Sequence, residues 1–363
     1  MKKIRVLIIE DSKVIRELLE HIVGSDLRLE LAAATGSAEE ALAMLEHVSP
    51  DVISMDIRLQ GMNGLEATQR IMAEKPTPIV VVSASDVCQD LQISIKALQA
   101  GALAVLEKPA GVTSADYEPI ARRLCTQLAI MSQVKLVRRR IAVSDPIPTQ
   151  TRPTNFAHAP RPESRAVFRP AGGYRMLGIV SSTGGPGALA KLLPGLGSGY
   201  PLPIAIVQHI TTSFTEGFAS WLESVSPFAV TIVRDRVLPV PGNIYLAAPE
   251  HHLRMERGTL LADRGDRVCG QRPSGTVLFE SMASNLGSGA LGVLLTGMGE
   301  DGASGLLRLR SRGGHTIAED RSTAVVYGMP AEAVRLGAVC ESLPLPAIAP
   351  RILDLTLSMQ EVA

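Results

Sequence analysis

Short apolar runs alternate with amphipathic segments along the first 125 residues of the chain. Residues 12–25 and 37–49 place apolar side chains at helical spacing, each behind a serine suited to capping a helix. This order of strands and helices predicts a doubly wound α/β domain over residues 1–125. The apolar runs resemble buried strands of a parallel sheet, and they cover residues 4–9, 51–55, 78–83 and 103–108.

A second alternation of the same kind predicts another doubly wound α/β domain over residues 176–363. Its candidate strands are residues 176–181, 202–208, 229–234, 243–248, 291–297 and 315–320. Its candidate helices are residues 187–196, 212–225, 277–286 and 302–313.

The stretch between the two alternations, residues 126–175, differs in composition. From residue 135 onward it shows no apolar periodicity, and it contains three arginines at 138–140 and many prolines. This composition predicts a basic, Pro-rich linker. We interpret its charge as solvated, with contact to an acidic partner as the alternative.

The overall composition excludes several classes of function. Basic and acidic residues balance at 36 each, which argues against a nucleic-acid partner. The four cysteines stand far apart, without the paired spacing of a zinc site or a redox dithiol. No apolar run has the length of a membrane helix, and the apolar start is too short for a signal peptide. We therefore expect a soluble, cytoplasmic protein without membrane insertion.

Acidic residues follow two predicted strands of the first domain. Glu10 and Asp11 come after the first strand, and Asp56 ends the second. Carboxyl ends of parallel strands share one rim, so these acids predict a Mg²⁺ site with Asp56 as a candidate phosphoryl acceptor. Ser83 and Lys108 end later strands and add a hydroxyl and a cation at that rim. The alternative is that each acid caps a helix.

The same residues carry a resemblance to a known family. The sequences EDS at 10–12, MD at 55–56, VSAS at 82–85 and KPA at 108–110 resemble the receiver domain of bacterial response regulators. The resemblance implies a flavodoxin-like fold and phosphorylation of Asp56 by a histidine kinase with Mg²⁺. Val105 departs from the family, which often has an aromatic switch residue at that position.

The sequence GIVSSTGGPGAL at 178–189 places hydroxyls where a predicted strand becomes a helix. A phosphate cradle is one interpretation, but the stretch lacks the lysine of a P-loop and the glycine spacing of a dinucleotide site. A literal G-x-G-x-x-G match at 287–292 precedes a strand instead of following one, so we interpret it as chance. The other interpretation is a nucleophilic serine at a sharp strand-to-helix turn.

A nucleophile needs a base and an orienting acid, and the chain offers one of each at further strand ends. Ser182 is the candidate nucleophile, His209 the base and Asp301 the acid. Each has an ordinary alternative: Ser182 and Asp301 as helix caps, and His209 as a buried histidine with satisfied nitrogens. Spacing alone leaves both interpretations open.

Six stretches spanning residues 177–355 resemble the catalytic domain of the chemotaxis protein-glutamate methylesterase (CheB) family. They are SSTGGPGAL, VQHI, IYLAAPEHHL, RPSGTVLFESMA, LLTGMGEDGASG and IAEDRSTAVVYGMP. The resemblance implies the roles given above for Ser182, His209 and Asp301. It also implies that the backbone N–H of Met298 is an oxyanion donor.

Two positions depart from this second family. Glycine and alanine usually precede its serine, whereas Val180 and Ser181 stand there in this chain. Ser181 is therefore a second candidate nucleophile, and Val180 is expected to crowd the turn. His251, His252 and His315 are interpreted as loop or surface residues outside catalysis.

The resemblance implies hydrolysis of γ-glutamyl methyl esters on chemoreceptors, activated by phosphorylation, with deamidation of receptor glutamines in some members. It implies no metal or organic cofactor in the catalytic domain. From the order of receiver, linker and catalytic domain we expect the receiver to dock over the catalytic rim and to be released by phosphorylation of Asp56. The alternative is a degenerate esterase that acts as a receptor-binding scaffold. A DNA-binding output is disfavoured because residues 176–363 predict strands throughout, whereas such modules are short, helical and basic.

Overall fold

The computed structural model describes residues 2–83, 97, 100–109, 117–134 and 173–357. Most of the predicted linker lies outside the described residues, as do three residues of the receiver motifs, Ala84, Ser85 and Ala110. None of the helices in the described ranges combines the length and the apolar character needed to span a bilayer.

The N-terminal sheet has five strands in the order β2-β1-β3-β4-β5, and all neighbours pair in parallel. This order is the flavodoxin-like one and confirms the predicted fold of this region. The strands are β1 (Ile4–Ile9), β2 (Leu29–Thr35), β3 (Val52–Met55), β4 (Ile79–Ser83) and β5 (Ala104–Glu107). The helices described around the sheet are α1 (Lys13–Ser25), α2 (Ala38–Val48), α3 (Gly64–Glu74) and α4 (Tyr117–Met131).

Helix α4 passes the limit of 125 that the sequence predicts for the first domain. Leu128, Ala129 and Met131 are buried in the same apolar cluster as residues of β1 and β4. The apolar periodicity of the helix continues beyond 125 because its second half packs on the sheet as the first half does.

The C-terminal sheet has seven strands in the order β14-β13-β12-β6-β7-β9-β8, again with every neighbouring pair parallel. Its strands are β6 (Met176–Ser181), β7 (Ile204–Gln208), β8 (Ala229–Val233), β9 (Asn243–Ala247), β12 (Ala290–Leu294), β13 (His315–Glu319) and β14 (Glu341–Leu343). A separate antiparallel hairpin is formed by β10 (His252–Glu256) and β11 (Thr259–Asp263). The predicted second α/β domain is thus confirmed as a fold.

Helices cover both faces of this sheet. They are α5 (Gly185–Leu196), α6 (Thr215–Val225), α7 (Gly275–Leu286), α8 (Ala303–Ser311), α9 (Met329–Arg335) and α10 (Leu345–Leu357), with short 3-10 turns at Thr212–Phe214 and Gly287–Gly289. One apolar cluster lies under α5, α6 and α10, and the other under α7, α8, α9 and the hairpin. Successive residues of β6 point alternately into the two clusters, as strand geometry requires.

The strand order reverses direction at β6. The chain moves from β6 toward β7 on one side, and returns through β12 to the other side. Ligands of open α/β sheets bind outside the carboxyl ends of the strands at such a switch point. The loops after β6, β7 and β12 carry Ser182, His209 and Asp301, so the topology brings the three candidates to one crevice.

Candidate functional sites

The turn after β6 separates the two adjacent serines. Ser181 is the last residue of the strand and is fully buried, and its hydroxyl donates to Oε1 of Gln208 at 2.6 Å. Ser182 is partly exposed and lines a cavity that His209 also lines. Gly184 then turns the chain into α5 with φ +78°, a value that favours glycine.

Val180 is accommodated without crowding the turn. Its side chain is fully buried and points to the face of the sheet covered by α7. A Cβ atom at Gly275, the first residue of α7, would lie 2.3 Å from Cγ1 of Val180. The absence of a side chain at Gly275 therefore makes room for the valine.

His209 and Asp301 form a buried pair. Nε2 of His209 lies 2.8 Å from Oδ2 of Asp301, and both side chains are less than a tenth exposed. Because an ionised carboxylate can only accept, Nε2 carries the proton and Nδ1 is the ring nitrogen available as a base. No hydrogen bond between the Ser182 hydroxyl and His209 is formed in the described part of the chain.

Asp301 lies at the N-terminus of α7, which is not the helix that follows it in sequence. Its oxygens accept from the Ser274 hydroxyl at 2.6 Å and from the backbone N–H groups of Gly275 at 2.7 Å and Thr276 at 3.1 Å. Burial alone would raise the pKa of Asp301, but the bonds from His209, Ser274 and Gly275 outweigh it and hold the pKa below its ordinary value.

Gln208 is a residue of this site that the sequence reasoning missed. Its side-chain amide donates to the backbone carbonyls of Ser182 and His209, each at 2.9 Å. The amide thereby fixes the spacing between the two turns that carry the candidate nucleophile and base. Its position directly before the histidine is the signal that points to it.

Thr296 connects the serine turn to the loop that contains Met298. The Ser182 N–H donates to the Thr296 carbonyl at 3.0 Å, and the Thr296 N–H donates to Oε2 of Glu319 at 2.9 Å. A Cβ atom at Gly297 would lie 2.7 Å from Cβ of Ser182, so this loop approaches the serine closely. Met298 is 41% exposed, and no described residue accepts a hydrogen bond from its N–H.

Two of the three histidines set aside in the sequence analysis are not surface residues. His252 begins β10 and is 2% exposed, because backbone groups satisfy both of its ring nitrogens. His315 begins β13 and pairs with Glu341 at 2.8 Å. His251 lies in the turn after β9. Within the described ranges none of the three is hydrogen-bonded or ion-paired to Ser182, His209 or Asp301.

The acidic rim of the N-terminal sheet assembles as the sequence predicts. Carboxylate oxygens of Glu10, Asp11 and Asp56 lie within 4.8 Å of one another. Nζ of Lys108 lies 2.8 Å from both Glu10 and Asp56. Ser83 ends β4 in a buried position, and its carbonyl accepts from the Lys108 N–H.

The two buried acids of this rim are electrostatically crowded. Burial raises the pKa of Asp56, and the ion pair with Lys108 offsets this only in part. Burial also raises the pKa of Glu10, to which the nearby Asp56 adds. A site with more negative charge than its one lysine neutralises is suited to a divalent cation.

The two sheets meet at the candidate active site. The cavity lined by Ser182 and His209 is closed on its other side by β5 and α4, including Val105 and Arg123. The Ser213 hydroxyl donates to Oε1 of Glu107 at 3.0 Å across this contact. Val326 packs against the apolar cluster of the N-terminal sheet. Val105, the position that departs from the receiver pattern, thus lies in the wall between the two regions.

The chain matches two known families. The profile described as CheB methylesterase matches residues 177–352, and that of the response regulator receiver domain matches residues 6–115. The chain is 54% identical to protein-glutamate methylesterase/protein-glutamine glutaminase 2 of Paramagnetospirillum magneticum, over 98% of each chain. It is 42% identical to protein-glutamate methylesterase/protein-glutamine glutaminase of Nitrosospira multiformis, over 99% of this chain and 98% of the relative.

A solved structure of the CheB methylesterase catalytic domain of Thermotoga maritima also matches. It is 34% identical, with a TM-score of 0.49, and the match covers 50% of this chain and 99% of that one.

Proposed function

Because the chain belongs to the CheB methylesterase family, we propose that it is a phosphorylation-activated protein-glutamate methylesterase. Its substrates are γ-glutamyl methyl esters on chemoreceptors, and its products are methanol and the free glutamate side chain. The names of its relatives include a glutaminase activity, so we extend the proposal to deamidation of receptor glutamines by the same site.

One observation carries the catalytic part of this proposal. The buried His209–Asp301 pair lies at the switch point of the C-terminal sheet, where substrates of open sheets bind, and Ser182 lines the same cavity as His209. Ser182 is the nucleophile in this proposal because it lines the cavity, whereas the Ser181 hydroxyl is buried against Gln208.

The reaction then proceeds through an acyl-enzyme. The Ser182 oxygen attacks the ester carbonyl while Nδ1 of His209 takes the hydroxyl proton, and Asp301 stabilises the resulting imidazolium through Nε2. His209 returns the proton to the leaving methanol. A water molecule then attacks the acyl-enzyme with His209 as base, which releases glutamate and restores Ser182. The Met298 N–H is the proposed donor to the developing oxyanion, and a donor of this kind contributes about 3–4 kcal/mol.

Asp56 is the proposed phosphoacceptor of the receiver. Glu10, Asp11 and Asp56 would hold Mg²⁺, whose positive charge neutralises phosphoryl oxygens when it is bound. Lys108 and Ser83 would contact the phosphoryl group from the ends of the neighbouring strands. A histidine kinase of the chemotaxis type is the proposed donor.

Regulation in this proposal works by release of a contact. The form described by the structure has β5 and α4 against the cavity of Ser182, which excludes a bulky protein substrate. Phosphorylation of Asp56 weakens this contact and shifts the population toward an open form. The division into a receiver at 1–125, a linker at 126–175 and a catalytic domain at 176–363 belongs to this proposal, as does a cytoplasmic location.

Methanol release from methyl-labelled receptor membranes tests the function. Wild-type full-length protein is compared with Ser182→Ala and Ser181→Ala, each with and without acetyl phosphate. We expect acetyl phosphate to stimulate the wild type, Ser182→Ala to lose about 10⁴-fold or more in rate, and Ser181→Ala to lose less than about tenfold.

Two other outcomes would correct the proposal. If Ser181→Ala releases no methanol while Ser182→Ala remains active, the nucleophile is Ser181, and the proposed reaction is otherwise unchanged. A phosphorylated wild type that binds receptors but releases no methanol would refute the enzyme and support the alternative scaffold.

A further inference from the structure

Ser274 occupies the N-cap of α7 but does not cap it. An N-cap serine ordinarily accepts a hydrogen bond from an N–H of the first helical turn. The Ser274 side chain accepts no such bond. Its hydroxyl donates to Oδ1 of Asp301 at 2.6 Å instead, and Asp301 accepts from the N–H groups of Gly275 and Thr276. The carboxylate has taken the capping role, which frees the serine hydroxyl to hold the carboxylate.

A buried histidine fixes Ser274 in this position. Nδ1 of His252 accepts the Ser274 N–H at 3.2 Å, and Nε2 lies 2.8 Å from the Asp266 carbonyl. Because a carbonyl only accepts, Nε2 carries the proton and Nδ1 has a free lone pair. His252 thus holds a neutral tautomer, and its own side chain is 2% exposed. The orientation of Ser274 is therefore set by its neighbours.

We propose that Ser274, held by His252, is a positioning residue that orients Asp301 and limits the charge it presents to His209. This inference rests on the proposed function and deepens it. The Ser274 hydroxyl and the Thr276 N–H both bind Oδ1, which leaves Oδ2 directed at Nε2 of His209. Loss of the hydroxyl removes one of the two bonds to Oδ1, so the carboxylate becomes freer to rotate and more strongly charged.

This predicts two separable effects of Ser274→Ala on methanol release. Poorer orientation of Asp301 lowers kcat about tenfold, the size expected from one hydrogen bond to a charged group. A more strongly charged carboxylate stabilises the imidazolium of His209, so the acidic limb of the kcat/KM profile moves to higher pH. A merely structural role for Ser274 would not move that limb.

Other ionisable groups around the pair do not account for such a shift. Glu300 precedes Asp301, Cys269 lies within electrostatic range of Asp301, and Arg123 lines the cavity beside His209. In the described ranges none of these three is hydrogen-bonded to Ser274. All three are unchanged in the variant, so a displaced limb reports on the Ser274 bond.

The experiment measures kcat/KM against pH for phosphorylated full-length protein on methylated receptor membranes. Ser274→Thr keeps a hydroxyl and is expected to restore the wild-type limb. Ser281→Ala is the matched control, because Ser281 is another buried serine of α7 whose hydroxyl bonds only within the hairpin and helix region. It is expected to leave the limb unchanged.

Three outcomes decide the inference. A folded Ser274→Ala with wild-type kcat and an unmoved limb overturns it. If Ser274→Ala fails to fold, the nearly isosteric Ser274→Cys, whose thiol is a weak donor, is expected to show the same direction, and an unmoved limb there overturns it. If the wild type releases no methanol, the proposed function fails. The inference is then judged by the ¹⁵N-histidine NMR signal of the His209 N–H, which Ser274→Ala should move downfield.

Discussion

Asp56 and Asp301 are two carboxylates in equivalent places whose surroundings differ. Each lies at the carboxyl rim of a parallel sheet, and each is 3% exposed. Asp301 accepts from one imidazole, one hydroxyl and two backbone N–H groups. Asp56 has an ion pair with Lys108 and a long bond of 3.3 Å from the Arg58 N–H. The pKa of Asp301 is lowered, while that of Asp56 is raised.

Burial raises the pKa of both carboxylates, and at equal exposure the supply of donors decides whether the pKa ends below or above its ordinary value. Asp301 is saturated with donors and is therefore suited to hold a neighbouring imidazole in one orientation. Asp56 is crowded by Glu10 and undersupplied with donors, so it is suited to receive a cation and a phosphoryl group. Sheet topology thus brings both aspartates to a rim where ligands bind, and the neighbouring side chains determine which chemistry each carboxylate is suited to.

The largest expected effect is that of Asp301→Asn. The amide can present an NH₂ group where donors from α7 and His209 now converge, so His209 loses its orientation and its favoured tautomer. We expect a fall in kcat of about 10⁴-fold, measured as methanol release by full-length protein. Asp235→Asn, the same change at an exposed aspartate that follows β8, serves as the control. A loss below tenfold would show that Asp301 has no orienting role.

Asp56→Asn should change the regulation of the enzyme and leave its catalytic site intact, whereas Asp301→Asn should do the reverse. We expect basal methanol release to remain and the whole response to acetyl phosphate to disappear, because the amide cannot accept a phosphoryl group. Asp51→Asn is the comparison, since Asp51 lies at the start of β3, at the other end of the strand, where it accepts from the Arg5 N–H. Stimulation of Asp56→Asn equal to that of the wild type would place the phosphoacceptor elsewhere.

The two aspartates should also contribute to stability with opposite pH dependence. A lowered pKa at Asp301 means that its contribution is present above the ordinary carboxyl pKa near 4 and is lost as pH falls. A raised pKa at Asp56 means that the folded state retains its proton more strongly, so stability declines as pH rises above about 4.

Denaturant unfolding at several pH values tests whether the two aspartates change the free energy of unfolding in opposite directions as pH rises. Trp221, the single tryptophan, lies in α6 and reports on the C-terminal sheet by fluorescence. Hydrogen exchange of β1 and β3 amides reports on the N-terminal sheet. Relative to wild type, Asp301→Asn should lose most stability near neutral pH, and Asp56→Asn should gain as pH rises. If the two variants shift the free energy of unfolding in the same direction as pH rises, the comparison between Asp301 and Asp56 is wrong.

The sequence predicts the strands that are buried on both faces better than those that are not. All six predicted strands of the C-terminal sheet form, and five of them are buried along nearly their whole length, the exception being the edge strand β8. β2 was missed because exposed and buried positions mix along this edge strand, and β14 because it spans three residues. The hairpin of β10 and β11 was missed because its short strands carry charged residues on the exposed face.

The sequence predicts that the proposed site residues share one rim of the sheet, but it does not predict their hydrogen bonds. Ser182, His209 and Asp301 each follow a predicted strand, and because parallel strands end at one rim, the sequence places the three residues near one another. The sequence predicts Asp301 either in a triad or as a cap of the helix after it, whereas in the structure it caps α7, whose first residue is 26 positions earlier. Ser274 and Glu319 reach the site only through tertiary packing, which no local pattern encodes. His252 looked like a surface residue because its buried backbone partners are not visible in sequence.

The smallest expected effect concerns the contact between the two regions. The bond from Ser213 to Glu107 is part-buried, and a bond of this kind contributes about 1 kcal/mol to the closed form. Ser213→Ala or Glu107→Ala should therefore raise basal methanol release about two- to fivefold and leave the fully phosphorylated rate unchanged. The double variant should resemble either single variant, because both remove the same bond.

Glu118→Ala, at a side chain that is 80% exposed on α4, is the control and should leave the basal rate unchanged. If both single variants keep the wild-type basal rate, this bond does not hold the closed form, and the apolar contact of Val326 with the N-terminal cluster becomes the part of the interface that does.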